Sequence, residues 1–176
     1  MGIAPMIMSI NLSGSQLMHP EFVNECAAAL KAAGVKPERF ELEITESMVM
    51  QNPDRATRLM DELREIGIRL AIDDFGTGYS SLAYLKQFPV HTLKVDQSFV
   101  RDLPHNRDDV AITRAVIAMA HSLKMNVIAE GVEREEQLTL LEAEGCDEFQ
   151  GFYCSRALPE DELIAFLRNR SAKLAA

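Results

Sequence analysis

Cysteine, positive charge and long apolar runs are all scarce in this chain, and each scarcity removes a class of function. Three cysteines among 176 residues, Cys26, Cys146 and Cys154, are too few and too irregularly spaced for a disulfide framework or a zinc site. They are expected to be reduced and packed, Cys26 within an alanine-rich helical run. Eighteen Lys and Arg against 27 Asp and Glu leave a net charge of −9, so no basic stripe offsets the repulsion from a nucleic acid polymer or an anionic membrane surface. The opening MGIAPMIMSINL is apolar but short, carries no basic leader and runs straight into a strand pattern. It therefore resembles neither a signal peptide nor a membrane span, and a cytoplasmic setting without membrane contact is expected for this segment. No Gly-x-Ser-x-Gly or Cys-His pairing supports covalent acyl chemistry. Gly76-Thr77-Gly78 lacks the Lys-Ser/Thr that completes a phosphate loop.

What is present is an alternation of short apolar strands and amphipathic helices, without linker, repeat or low-complexity tract. Hydrophobic residues make up 47% of the chain, enough for one core and one domain. Strands are expected over Met6–Leu12, Arg39–Thr45, Ile68–Asp73, His91–Asp96, Met125–Glu130 and Glu148–Cys154. Between them lie expected helices: one opening at Pro20-Glu21-Phe22 and stopping at Ala33-Gly34, and one after Asn52-Pro53 carrying Ala56, Leu59, Met60 and Leu63. Others span Ser80–Phe88, the stripe Ile112, Val116, Met119, Ala120 and Leu123, and Glu133–Glu144, and a last helix opens at Pro159 with acids at its positive end. This order implies a parallel α/β sheet covered by helices, either open and doubly wound or a barrel. Roughly six units fall short of the eight strands and about 250 residues of a complete barrel.

In parallel sheets the carboxyl ends of all strands meet at one rim. Here those ends are polar: Asn11, Glu43, Asp73 with Asp74, Lys94 with Asp96, Glu130 and Gln150. Adjacent aspartates at a strand end can place one carboxylate on each side of the chain, letting one bridge two metal ions while its neighbour binds one. Taken alone, Asp73-Asp74 followed by Gly76 reads as a capped turn just as well. A salt bridge accounts for one inward acid among Glu41, Glu43 and Glu46, but poorly for Glu43, Asp73, Asp74, Asp96 and Glu130 together. Lys94 is open to two readings, a buried counter-ion or a group that holds and polarises a water. Asn11 and Gln150 could serve a hard metal or merely satisfy backbone groups. His19, His91, His105 and His121 do not fall at strand ends and are expected on surfaces or helices. Without His or Cys, an oxygen-rich Mg²⁺ or Mn²⁺ site fits better than zinc.

Several segments, in order, resemble one family: the EAL domains, bacterial cyclic di-GMP phosphodiesterases of TIM-barrel type. They are Asn11-Leu12-Ser13, Glu41-Leu42-Glu43-Ile44-Thr45-Glu46, Asp73-Asp74-Phe75-Gly76-Thr77-Gly78-Tyr79-Ser80-Ser81-Leu82, Leu93-Lys94-Val95-Asp96, Ala129-Glu130-Gly131-Val132-Glu133 and Gly145-Cys146-Asp147-Glu148-Phe149-Gln150-Gly151. The resemblance implies metal ligands at Asn11, Glu43, Asp73 and Asp74, with Asp73 bridging two Mg²⁺ or Mn²⁺ ions. Lys94 and Glu130 would position and activate the attacking water, and Asp96 would support the metal-water network. Gln150 and Glu133 would lie near substrate, and Glu46 would tether the loop from Asp74 to Ser81, linked in the family to dimerisation. The implied reaction is two-metal hydrolysis of cyclic di-GMP to linear pGpG.

The chain departs from the family in carrying no Glu-Ala-Leu segment ahead of the Asn11 strand, besides Phe152 where Tyr is usual and Ala157 where Pro is usual. The expectation is therefore a partial EAL domain over 1–176, an incomplete TIM-type barrel without its first two strands and helices, one ligand Glu and one substrate-binding Arg. Impaired activity would follow, as would exposed inward apolar side chains and pairing either with a second copy, as a homo-oligomer, or with a missing N-terminal segment of a larger chain that includes a GGDEF or sensor domain. The alternative function is a non-catalytic module that binds cyclic di-GMP or only another protein.

Overall fold

The computed structural model describes residues 6–78 and 82–174, with side chains in the last helix described as far as residue 169. Residues 1–5 of the apolar opening, and Ser80 and Ser81 of the helix expected from Ser80, lie outside the described residues. Six parallel strands alternate with helices: β1 (Met8–Asn11), β2 (Phe40–Thr45), β3 (Arg69–Phe75), β4 (Thr92–Val95), β5 (Asn126–Glu130) and β6 (Glu148–Gln150). They pair in the order β1-β2-β3-β4-β5-β6, which is chain order without reversal. A doubly wound sheet must reverse its strand order at a switch point, whereas right-handed crossovers that never reverse keep every helix on one side and curl the sheet. The choice left open by the sequence thus resolves to a curled half-barrel of TIM type.

Alternation along the strands separates two faces. Leu42, Ile44, Leu70, Ile72, Leu93, Val95, Val127 and Ala129 are buried toward the helices and join one core with Leu59, Met60, Leu63, Val116 and Ile117. Full burial of each such large side chain favours folding by about 1.5–3 kcal/mol. The opposite face carries Ser9, Asn11, Glu41, Glu43, Arg69, Asp73, Thr92, Lys94 and Glu130. The concave face is largely polar, and of the expected inward apolar exposure it shows the partly exposed Ile128 in register with Lys94. More exposed apolar residues lie along the β1 edge, where Met8 and Ile10 are 54% and 46% exposed.

Helix boundaries follow local chemistry. α1 (Gly14–Leu17) is a single turn capped by Ser13. α2 (Phe22–Ala33) begins after Pro20 and ends where Gly34 enters the left-handed region at φ 65°, with the Val35 N–H donating to the Leu30 carbonyl. α3 (Glu46–Gln51) follows β2 directly, and α4 (Pro53–Glu65) has Pro at its first position and Asn52 accepting from the Arg55 N–H. Four-residue helices α5 (Leu82–Leu85) and α6 (Gln97–Val100) flank β4. α7 (Arg107–Ser122) is capped by Asn106 and buries Thr113, Val116, Ile117 and Ala120, while Ile112 is 40% exposed. Val116, Ala120, Met119 and Leu123 pack in the core as expected, and Thr113 and Ile117 extend that face on the side away from Ile112, with Thr113 donating toward the Phe99 carbonyl. α8 (Glu135–Ala143) and α9 (Glu160–Leu174) complete the order.

β6 is shorter than expected, ending at Gln150 rather than Cys154. Gly151 turns the chain so tightly around Val132 that an added Cβ would stand 2.1 Å from its carbonyl oxygen. That carbonyl accepts from the Tyr153 N–H at 2.9 Å, so the residues after Gln150 wrap Val132 instead of extending the sheet. All three cysteines are free, as expected, and burial pushes the Cys146 thiol up to about 11. No helix among the described residues is long and apolar enough to cross a membrane.

Candidate active site

Lys94, in the middle of β4, is 2% exposed and reaches three carboxylates from three strands. Its Nζ lies 2.9 Å from Glu43 Oε2 on β2, 3.2 Å from Asp73 Oδ1 on β3 and 2.7 Å from Glu130 Oε1 on β5. Burial opposes the ammonium, yet hydrogen bonds to Glu130 and Glu43 and the nearby charges outweigh it, so the Lys94 pKa rises and the side chain stays charged. Burial also disfavours the charged form of Glu130, and there it raises the pKa despite Lys94, with Asp73 and Glu43 adding to the shift.

The two aspartates reach the same site through a bulge. The β3–β4 register shifts between Ile72 and Phe75, and Asp74 takes φ 54°, rare for a residue with a Cβ. Rather than pointing to opposite sides of the chain, Asp73 and Asp74 bring ligand oxygens within 4.8 Å of each other and of Glu130. The Asp74 N–H donates to Asp73 Oδ1 at 3.0 Å, fixing that rotamer. Burial, then the charges of Asp73 and Asp96, raise the Asp74 pKa, with Lys94 only partly offsetting them. The donor set is made of hard oxygens, carries more negative charge than one ammonium neutralises, and therefore fits a divalent cation such as Mg²⁺ or Mn²⁺.

The surrounding residues take distinct places. Asn11 ends β1 in register with Glu43, exposed at the rim. Glu46, 3% exposed at the start of α3, accepts from the Gly76 N–H at 2.9 Å, and a Cβ on Gly78 would meet its Oε1 at 3.0 Å. The part of the loop from Asp74 to Gly78 is thereby held by Glu46. Gly76 itself, at φ 99°, lies so close to the Phe99 ring that a Cβ would stand 2.7 Å away. Asp96 caps α6 by accepting from the Ser98 N–H at 2.9 Å. Glu130, Glu133 and Gln150 line a cleft of about 250 Å³ with Gln97, a residue the sequence reading missed although it directly follows the strand-end Asp96.

Glu41 belongs one layer lower and is engaged structurally. It accepts from Thr92 Oγ1 at 2.9 Å and from Ser9 Oγ at 3.2 Å, and it pairs with Arg69. None of the histidines is at the rim. His19, His105 and His121 pair at the surface with Glu25, Glu136 and Asp147. His91, expected on a surface or helix, is instead half-buried just before β4, where Nδ1 accepts from the Leu70 N–H at 3.3 Å.

The carboxyl rim of this parallel half-barrel gathers Glu43, Asp73 and Glu130 around one lysine, and Asp73, Asp74 and Glu130 form a group that could hold a metal ion. The chain belongs to the EAL domain family: a family profile described as "EAL domain" matches residues 2–157. Among curated relatives, "Cyclic di-GMP phosphodiesterase NbdA" of Pseudomonas aeruginosa is 46% identical over 161 residues, covering 92% of this chain and 21% of that protein. "Bifunctional diguanylate cyclase/cyclic di-GMP phosphodiesterase MucR" of the same species is 40% identical, covering 93% of this chain and 24% of the relative. The chain thus spans about a fifth to a quarter of the length of these relatives. The crystal structure of the EAL domain of Mycobacterium smegmatis DcpA superposes with a TM-score of 0.88 at 41% identity, covering 93% of this chain and 73% of the other. Klebsiella pneumoniae BlrP1, in a manganese and cyclic di-GMP complex, gives 0.82 at 38% identity, covering 87% and 39%.

Proposed function

We propose that residues 1–176 are a partial EAL domain acting on cyclic di-GMP, which it hydrolyses to linear pGpG. The observation that carries this reading is the Lys94 cluster, with three carboxylates within 3.2 Å of Nζ at the rim of an EAL-family fold. Asn11, Glu43, Asp73 and Asp74 would hold two Mg²⁺ or Mn²⁺ ions, with Asp73 shared between them. Such ions neutralise a phosphodiester and acidify water, which an acidic chain needs in order to accept an anionic substrate.

The chain's own residues supply position and proton transfer. Lys94 holds Glu130 through Oε1, leaving Oε2 without a protein partner among the described residues. A carboxylate whose pKa burial has raised is a better proton acceptor, so Glu130 would take the proton of the attacking water. The water oxygen would bond to phosphorus as the P–O3′ bond breaks, with the departing 3′-oxygen protonated by solvent and the proton on Glu130 then returned to solvent. Asp96 and Gln150 would orient water and substrate at the flanks, and Glu133 the substrate in the adjoining cleft. Glu46 would set the loop that carries Asp74.

Hydrolysis by this chain alone is expected to be weak, because the family resemblance assigns a further ligand Glu and a phosphate-gripping Arg to segments outside these residues. Ionised contacts of that kind contribute about 1.5–3 kcal/mol each, so two of them account for orders of magnitude in rate. A second copy, or a segment of a longer cytoplasmic chain with GGDEF or sensor domains, would seat against the exposed β1 edge. Incubation with cyclic di-GMP and Mg²⁺ or Mn²⁺, read by chromatography, should give pGpG that Asp73→Asn abolishes. Binding by calorimetry in Ca²⁺ without any turnover in Mg²⁺ or Mn²⁺ would favour the non-catalytic module instead.

A further inference from the structure

The end of the barrel opposite the acidic rim carries the reverse charge. A cleft of about 410 Å³ opens between the start of β3, the start of β4 and the start of β5. Arg64, Arg69, His91, Lys124 and Asn126 supply its polar lining, and no carboxylate lines it, in a chain with 27 acidic and 18 basic residues. Arg64 and Lys124 form no ion pair among the described residues. Arg69 lies 3.5 Å from Glu41 through Nε, yet that buried nitrogen makes no hydrogen bond.

Two further features belong to residues lining the same cleft. His91 Nδ1 accepts from the Leu70 N–H, which puts the ring proton of the neutral tautomer on Nε2 as a donor. Burial first, and then Arg69 and Arg64, hold the His91 pKa down, so the ring feels both guanidinium charges. Lys124 follows the C-terminus of α7 at φ 63°, with its N–H on the His121 carbonyl and the Met125 N–H on the Ala120 carbonyl. Glycine adopts that backbone without strain, whereas a lysine there retains a cation at a conformational cost.

We propose that this cleft is a binding site for a small phosphate-bearing anion, held by Arg64, Arg69 and Lys124 with His91 and Asn126 as neutral donors. Guanidinium groups suit phosphate oxygens because their N–H fork matches them; Arg64 has no carboxylate partner among the described residues, and the Nε of Arg69, although near Glu41, makes no hydrogen bond. The ligand would bridge the starts of β3, β4 and β5, the three strands that carry Asp73, Lys94 and Glu130 at the other rim. The site does not depend on the phosphodiesterase reading.

Pyrophosphate titrated into the full chain in EDTA, so that the acidic rim cannot contribute through a metal, tests it by calorimetry at constant ionic strength. Saturable one-to-one binding is expected, weakened about tenfold or more in Arg64→Gln and in Lys124→Gly, and unchanged in Lys31→Gln on α2. Lys124→Gly should melt no lower than the parent, because glycine accepts the left-handed backbone, which separates lost binding from lost folding. Heats that do not saturate, equal affinity in the cleft variants, or tighter binding of citrate than of pyrophosphate would overturn the proposal.

Discussion

At the scale of single residues, the energetics of the rim depend on one ammonium. Lys94 balances Glu43, Asp73 and Glu130, which are 8%, 11% and 17% exposed at their side chains. Removing one partner of a buried ionic cluster leaves uncompensated charge, at a cost of about 3–5 kcal/mol. Lys94→Met should therefore lower the unfolding free energy from urea titration at pH 7 by that order, and Mn²⁺ should restore part of the loss by supplying the missing positive charge. A free energy equal to the parent's would mean that water, not Lys94, neutralises the carboxylates. That Glu43, Asp73, Asp74, Lys94 and Glu130 could meet was legible because each ends or interrupts an apolar run. How both aspartates converge was not, since it follows from the bulge and from φ 54° at Asp74.

At the scale of elements, joints between helices and strands rest on side chains that replace missing backbone partners. Asp147, between α8 and β6, accepts from the Val127 N–H on β5 at 2.8 Å and meets His121 Nε2 on α7 at 2.8 Å. Burial pushes its pKa up, but the His121 and Val127 hydrogen bonds prevail and hold it below the ordinary value. A depressed carboxylate contributes stability above its unfolded pKa of about 3.9 and loses it as pH falls through the folded value. Asp147→Ala should thus cost about 1 kcal/mol at pH 7, the lower end for a group over a third exposed to water, and the gap to the parent should narrow below about pH 4 in thermal melts. A gap independent of pH would assign the loss to packing. Period and caps made most helices legible, including most of the α7 stripe, whereas the early end of β6 depended on contact with Val132, in the segment between β5 and α8.

For the whole molecule, the curled sheet leaves β1 with one side unpaired. Met8 and Ile10 are exposed on a strand that has no neighbour on one side among the described residues, the combination that favours edge pairing and association. Sedimentation velocity should show association that rises with concentration, and Ile10→Lys should suppress it, because a charge on an edge strand opposes pairing. A species that stays monomeric at every concentration and is unaffected by the substitution would contradict this.

The sequence by itself determined that strands and helices alternate, that strand ends carry acids and one lysine, and which residues could face one rim. Those properties are local, since periodicity, caps and residue chemistry act within a few positions. Only the tertiary structure decided that the sheet curls instead of reversing, that Lys94 stands between three carboxylates, and that Arg64, Arg69 and Lys124 gather at the opposite end. Such distances arise between residues remote in the chain, brought together by the unreversed pairing of six strands and by the burial of their helix-facing sides.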